Sequence, residues 1–308
     1  MKNIKEIIFL LAAVTAASCS DPFDLKTKTA DRTYLCVETV LTNIPSVQTI
    51  NLSESIDYQS DSDAPKVSGA TVTVSDGTSV VTFTEREDRP GSYSSPRGFA
   101  CQSGKTYCLE IDCRLSDGTD RHYEASSSME EVGFDIEAVD YKYLGSVMDS
   151  TWVLGVWGTD RPATNYFLIT TAVNGVTSPL TSLVDRSMLM PDTYFNASRV
   201  NGFPIGYMYQ TAAQMEKYGD CAKPLEEGDI VSLVVYSLTK DYYDFIMAMT
   251  SSATGISIPI ISSQPANLPT NITGDDAMGY FAVCPVTMVS CKVEDPFRTE
   301  YAYNPPLN

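Results

Sequence analysis

Few side chains in this sequence have the types and spacings that covalent chemistry requires. There is one histidine, His122, within Asp120-Arg121-His122-Tyr123-Glu124. A single imidazole cannot complete a three-histidine zinc site, and no H-E-x-x-H motif occurs. No Gly-x-Ser-x-Gly elbow supplies a serine nucleophile. His122 therefore reads as an exposed strand residue and not as a general base. Carboxylates are plentiful, but no spacing singles out a pair for glycoside hydrolysis. Two acidic runs, Asp57-Tyr58-Gln59-Ser60-Asp61-Ser62-Asp63 and Gly274-Asp275-Asp276, offer oxygen donors. Neither has EF-hand spacing, so both read as solvated loops, and no metal or cofactor is expected. No catalytic residue is assigned.

Aromatic residues are the better lead, and they point to binding. Trp152 and Trp157 fall on one expected strand with odd spacing, so they face opposite sides. One is expected in the core and the other as an exposed platform for a sugar ring or a peptide side chain. Tyr207 and Tyr209 share a face if the chain there is extended, and they follow the loop-like Asn201-Gly202-Phe203-Pro204. Tyrosine offers area and a hydroxyl at low entropic cost. Trp152, Trp157, Tyr207 and Tyr209 form the candidate ligand-binding set, against a competing account of ordinary sheet packing.

At the N-terminus, Lys2 and Lys5 precede an eleven-residue apolar run from Ile7 to Ala17. That pattern describes a secretory signal peptide over residues 1–18. The run is too short for a membrane-spanning helix, which needs about 20 residues. Ala16-Ala17-Ser18-Cys19 resembles a bacterial lipobox, with Ala16 where Leu is commonest. Cys19 is the expected lipidation site, and residues 19–31 the tether. Removing Lys2, Lys5 and Glu6 with the leader makes the mature chain one charge more negative. The whole chain already carries 21 Lys+Arg against 39 Asp+Glu, a formal charge of -18. Nucleic acid is excluded as a partner, since phosphate binding needs clustered cations. Of eight cysteines, seven remain after Cys19. They lack C-x-x-C spacing and read mostly as small buried residues. Cys101 and Cys108 flank a turn and can face each other across a hairpin.

The elements that must position these residues are mostly strands. Residues 33–41, 47–53, 70–75, 79–85, 91–95, 105–115 and 120–126 alternate apolar and polar side chains between turn signals. Ser-Asp-Gly-Thr occurs at Ser75–Thr78 and again at Ser116–Thr119. Asp-Gly at a hairpin tip suggests positive φ at both central residues. An immunoglobulin-like β-sandwich over 32–127 follows. Ser126–Glu131 reads as a linker. A second β-rich sandwich or barrel-like domain over 128–294 is expected, with strands at 150–157, 164–174, 228–238, 277–284 and 286–293. One or two short helices are expected in it. Residues 212–218 form one candidate, and residues 240–251 the clearer one, with Thr239 as N-cap and Tyr242, Phe245, Ile246 and Met249 on one face. The tail 295–308 ends Asn-Pro-Pro-Leu-Asn and is expected to be loose.

Further blocks carry a family resemblance. They are Pro265-Ala266-Asn267-Leu268-Pro269-Thr270-Asn271-Ile272, Gly274, Gly279-Tyr280-Phe281, Gly228-Asp229-Ile230-Val231 and Tyr242-Tyr243-Asp244-Phe245. Upstream stand Gly69-Ala70-Thr71-Val72, Phe83-Thr84-Glu85, Gly91-Ser92-Tyr93 and Gly104-Lys105-Thr106-Tyr107. In this order they resemble a Bacteroidota outer-membrane lipoprotein family of unknown function. The sequence departs at Asp275-Asp276-Ala277-Met278, where the family tends to be Gly-rich. The resemblance implies a non-enzymatic, surface-exposed lipoprotein anchored in the outer membrane. It implies nutrient uptake of a peptide or glycan with a TonB-dependent transporter of the starch-utilisation type. It supplies no catalytic residue. The alternative class is a structural or adhesin-type envelope interaction protein.

Overall fold

Alternating side chains build the first part of the molecule. In Thr106–Arg114 every second residue (Tyr107, Leu109, Ile111, Cys113) is buried and the others are exposed, as a sheet with one solvated face requires. The structure is a computed structural model. It describes residues 33–56, 63–146, 150–177, 188–193, 196–210, 224–253 and 268–303. Seven strands come first: β1 Leu35–Thr42, β2 Thr49–Glu54, β3 Thr71–Ser75, β4 Val80–Arg86, β5 Arg89–Ser94, β6 Thr106–Arg114 and β7 Asp120–Ser128. They pair as β1-β2-β5 and as β4-β3-β6-β7, with the β4–β5 hairpin joining the two. That is the connectivity of an immunoglobulin-like sandwich.

The turns differ from expectation in one respect. Only Gly77 and Gly118 take positive φ at the two Asp-Gly tips. Asp76 and Asp117 instead use their carboxylates. Asp76 Oδ1 accepts the N–H groups of Thr78 at 3.0 Å and Ser79 at 2.8 Å, and Asp117 Oδ1 accepts that of Thr119 at 2.8 Å. The aspartates close longer loops from the side.

The second part comprises β8 Phe134–Ser146, β9 Ser150–Asp160, β10 Tyr166–Val173, β11 Val176–Thr177, β12 Met188–Pro191, β13 Arg199–Gln210 and β14 Ile230–Leu238. Then follow helix α1 Lys240–Ala253, β15 Ile272–Thr273, β16 Ala277–Cys284 and β17 Val286–Lys292. A sheet ordered β11-β10-β14-β17, with β12 also on β10, faces a sheet ordered β13-β9-β8. Phe167, Ile169, Val231, Leu233 and Val235 meet Trp152, Leu154 and Val156 between them. Thr239 caps α1, its Oγ1 accepting the Tyr242 N–H at 3.3 Å. Tyr242, Phe245 and Ile246 are buried as expected, whereas Met249 is exposed. The candidate helix at 212–218 lies outside the described residues.

The expected boundary at 127/128 is crossed twice. β16, placed by sequence in the domain 128–294, runs parallel to β1 from Leu35↔Ala277 to Thr42↔Cys284. β15 pairs with β7. Asn271 stitches this edge. Its Nδ2 donates to Ser126 O at 3.1 Å and Phe281 O at 2.8 Å, and its Oδ1 accepts the Phe281 N–H. The first sandwich is thereby nearly closed into a barrel. The residues read as a linker also belong to it, since Met129 is 1% exposed within that core. All described residues fall in one compact unit, Thr33–Asn308. The tail also departs from expectation, because residues 295–303 are docked on β8 and β9.

Phe281 on β16 is fully buried in the first core. Phe281→Ala should cost about 3–5 kcal/mol. Chemical denaturation followed by tryptophan emission, which reports only the second part, should show the loss. An unchanged midpoint would mean that the two parts unfold independently.

Candidate functional site

β9 is the centre of the candidate site, because both of its faces are covered. Every residue from Trp152 to Trp157 is buried. Trp152, Leu154 and Val156 point into the second core. Gly155 and Trp157 carry the C-terminal segment, which lies across β8 and β9 as a strap.

The strap is held by a buried carboxylate. Asp140 on β8 is 4% exposed. Its Oδ2 accepts the N–H groups of Ala302 at 2.7 Å and Tyr303 at 2.8 Å. Its Oδ1 accepts the Tyr141 N–H and pairs with the Arg298 guanidinium. Arg298 Nε donates to Tyr141 O at 3.1 Å, and its guanidinium carbon sits 3.8 Å from the Tyr141 ring centre. The Tyr141 hydroxyl donates to Asp295 O at 3.0 Å and accepts the Glu294 N–H at 3.1 Å. Trp152 Nε1 donates to Pro296 O at 2.6 Å. Asp140 is thus buried with both oxygens occupied, and the part-buried Arg298 supplies its countercharge.

Aromatic packing completes the strap. Trp157 lies between Tyr301 and Tyr303, with ring centres 5.1 Å and 5.0 Å away. Lys142 Nζ stands 4.7 Å from the Tyr301 ring centre. Phe297 meets Tyr143 edge-on at 5.4 Å. Gly155 makes the close approach possible, since a Cβ there would lie 2.6 Å from the Tyr301 ring.

The expected platform is therefore corrected. Trp152 is 1% and Trp157 4% exposed. The two do face opposite sides of β9, yet neither is open, because the strap covers the side that sequence left bare. Tyr207 and Tyr209 lie on β13 opposite Val153 and Thr151. Their side chains, and Cys19, lie outside the described residues. Sequence reasoning missed Asp140, Arg298, Tyr301 and Tyr303. The alternation Tyr301-Ala302-Tyr303 was the available signal, masked by the Pro-Pro that follows.

The other candidates resolve simply. His122 is exposed on β7, with Nδ1 2.8 Å from Asp112 and Nε2 3.2 Å from Glu124. The Asp112 carboxylate, then Glu124, raises its pKa above the usual histidine value. It is an exposed strand residue held between two carboxylates. The Asp276 carboxylate is bound by Arg121, and 57–62 lie outside the described residues. Cys101 and Cys108 are both free, so the expected hairpin contact forms no disulfide. Burial pushes the Cys101 and Cys284 thiols up to about 12 and those of Cys113 and Cys291 to about 11. These four stay protonated at neutral pH and are poor nucleophiles.

A family model described as a domain of unknown function (DUF4249) matches residues 20–290. No curated protein matches the chain. Among solved structures, the FN1–FN3 domains of chicken CNTN1 align at 10% identity with a TM-score of 0.25. The alignment covers 65% of this chain and 59% of that one, a likeness too distant to bear on function.

Gly155→Ala should drive the strap off β9, visible as a red-shifted tryptophan emission and faster proteolysis within 295–303. Arg298→Ala should cost about 3–5 kcal/mol, because it leaves Asp140 buried without its cation. His122 should titrate above 6.5 by NMR. Its folded pKa is raised, so its small contribution to stability is complete below the unfolded value and is lost as pH rises through the folded one.

Proposed function

Because the chain belongs to the DUF4249 family, a domain of unknown function, we propose that it is an outer-membrane-anchored lipoprotein that assists nutrient uptake without catalysis. It works beside a TonB-dependent transporter, as an accessory or as a binder of a peptide or glycan. The observation that carries this reading is at the N-terminus. The family match begins at Ser20, the residue after Cys19 and its lipobox-like sequence. The leader and the thiol thus stand outside the family domain, as a processed segment and an anchor do. Acyl chains on Cys19 hold the protein at about 0.8 kcal/mol per buried methylene. The excess of acidic residues keeps the domain soluble and off an anionic membrane face. The non-catalytic part rests on His122 bound between two carboxylates and on thiols held protonated by burial.

The alternative, a structural or adhesin-type envelope protein, is favoured by one observation. Trp157, the tryptophan on the face away from the core, is closed off by the chain's own tail, so the surface best suited to a sugar ring already has an occupant.

Mass analysis of the mature protein should find an acylated Cys19 as the first residue. Affinity capture from detergent-solubilised outer membranes should bring down a TonB-dependent transporter. An unmodified thiol at Cys19 sinks the anchored reading. Capture of fimbrial or other envelope structural subunits without a transporter replaces the uptake reading with the structural one.

A further inference from the structure

The end of the strap closes the face of β8 and β9 without joining the core itself. None of residues 295–303 is buried, and none belongs to a strand. What lies beneath them is closed. Asp140 and Trp157 are each 4% exposed, and Gly155 is buried. A lid of exposed residues thus covers a place whose own lining is desolvated.

That lining has the features of a peptide site. Asp140 Oδ2 takes two successive main-chain N–H groups, of Ala302 at 2.7 Å and Tyr303 at 2.8 Å, and such groups are what any peptide offers. Trp157 lies between two rings whose residues are two apart, the spacing at which an extended segment puts side chains on one side. Gly155 has no positive φ, so the β9 backbone does not call for glycine there. The ring does, because a Cβ would lie 2.6 Å from it. Lys142 Nζ, 4.7 Å from the Tyr301 ring centre, favours an aromatic occupant.

The place also keeps its charge balance when emptied. Arg298 and the Tyr141 N–H hold Asp140 Oδ1. Arg298 is fixed independently of the two tyrosines, by its Nε on Tyr141 O at 3.1 Å and by its carbonyl accepting the Tyr143 N–H at 2.7 Å. When residues 299–303 lift, Asp140 retains its countercharge, and Oδ2 alone is left as a vacant acceptor. The large cost of leaving a buried charge unpaired is therefore not incurred.

We propose that Tyr301-Ala302-Tyr303 is a latch occupying a peptide site, which when open takes an extended partner segment with two aromatic residues two apart. This rests on the ligand-binding reading above and narrows its ligand to a peptide. The latch competes within the same chain, so a partner segment binds only in proportion to the open fraction.

The test uses the mature chain and a fluorescein-labelled peptide copy of Thr299–Asn304. A chain carrying both Tyr301→Ala and Tyr303→Ala empties the site and leaves Arg298 in place. It should bind the peptide at least about tenfold more tightly than the native chain does. Adding Gly155→Ala to it should abolish binding without unfolding, since no Tyr301 ring remains for the new Cβ to meet. A peptide with alanine for both tyrosines should not bind. The proposal is overturned if the emptied chain binds no better than the native one, or if Gly155→Ala leaves binding intact. If the emptied chain does not fold, hydrogen exchange of the native chain decides. The Ala302 and Tyr303 amides should exchange by local opening, at least about 100-fold faster than those of β14. Exchange only through global unfolding overturns the latch. A native dimer that the peptide dissociates would make a second copy's strap the occupant and overturn the partner segment. These measurements use the protein alone, so their failure is distinct from a failure to capture a transporter.

Discussion

The structure depends on one strand being buried on both faces. β16 sets Phe281 and Val283 into the first sandwich and Tyr280, Ala282 and Cys284 against α1. Period-two alternation makes this possible only if both faces are apolar, and the run Tyr-Phe-Ala-Val-Cys meets that condition. Immediately beyond Pro285 the chain continues as β17, which pairs with β14 in the second sandwich. One continuous stretch thus belongs to both halves. Its partner β1 comes from the opposite end of the described chain, and a parallel pair of such separation must wait for everything between to be placed.

Helix α1 has its role within that constraint. Its buried stripe touches Leu168 and Leu238 of the second sandwich and Tyr280 of β16. Phe245 and Tyr242 each pack on the Tyr280 ring at 5.2 Å and 5.1 Å. The helix fills the space between the outer face of one sheet and the outer face of the closing strand. Solvent then reaches neither, and the two sandwiches share apolar surface where a linker would have left them separate.

Most strands were legible because one face is wet. β1, β2, β3 and β6 alternate, and the turns after β3 and β6 carry Asp-Gly or Gly signals, so period and punctuation agree there. β8 and β13 were not legible. β8 mixes charged residues and a glycine (Asp135, Glu137, Asp140, Lys142, Gly145), because Asp140 and Lys142 meet the strap and the exposed Asp135 and Glu137 pair with Arg161 and Arg199. β13 holds Pro204 and Gly206 at register shifts against β9, features that read as loop. The candidate site failed for the same reason. Trp152 and Trp157 were correctly assigned to opposite faces, but burial depends on a tail whose closing prolines suggested freedom. Long-range pairing, as of Asp140 with Arg298 or β1 with β16, leaves no trace in local spacing.

The fold contains four buried carboxylates among the described residues, and their partners differ instructively. Glu54 is satisfied by the N–H and hydroxyl of Ser116. Asp140 has Arg298 and three backbone N–H groups. Asp160 and Asp192 have backbone and amide N–H groups on one oxygen each and nothing on the other. A chain with 21 cationic side chains against 39 acidic ones runs short of positive charge. Much of its supply is committed at the surface, in pairs such as Arg86–Asp88, Arg114–Asp120 and Arg161–Asp135, where each contributes little. Asp140 is matched by Arg298 and holds a segment 158 residues away, whereas burial and then the adjacent Asp192 push the Asp160 carboxyl up to about 6.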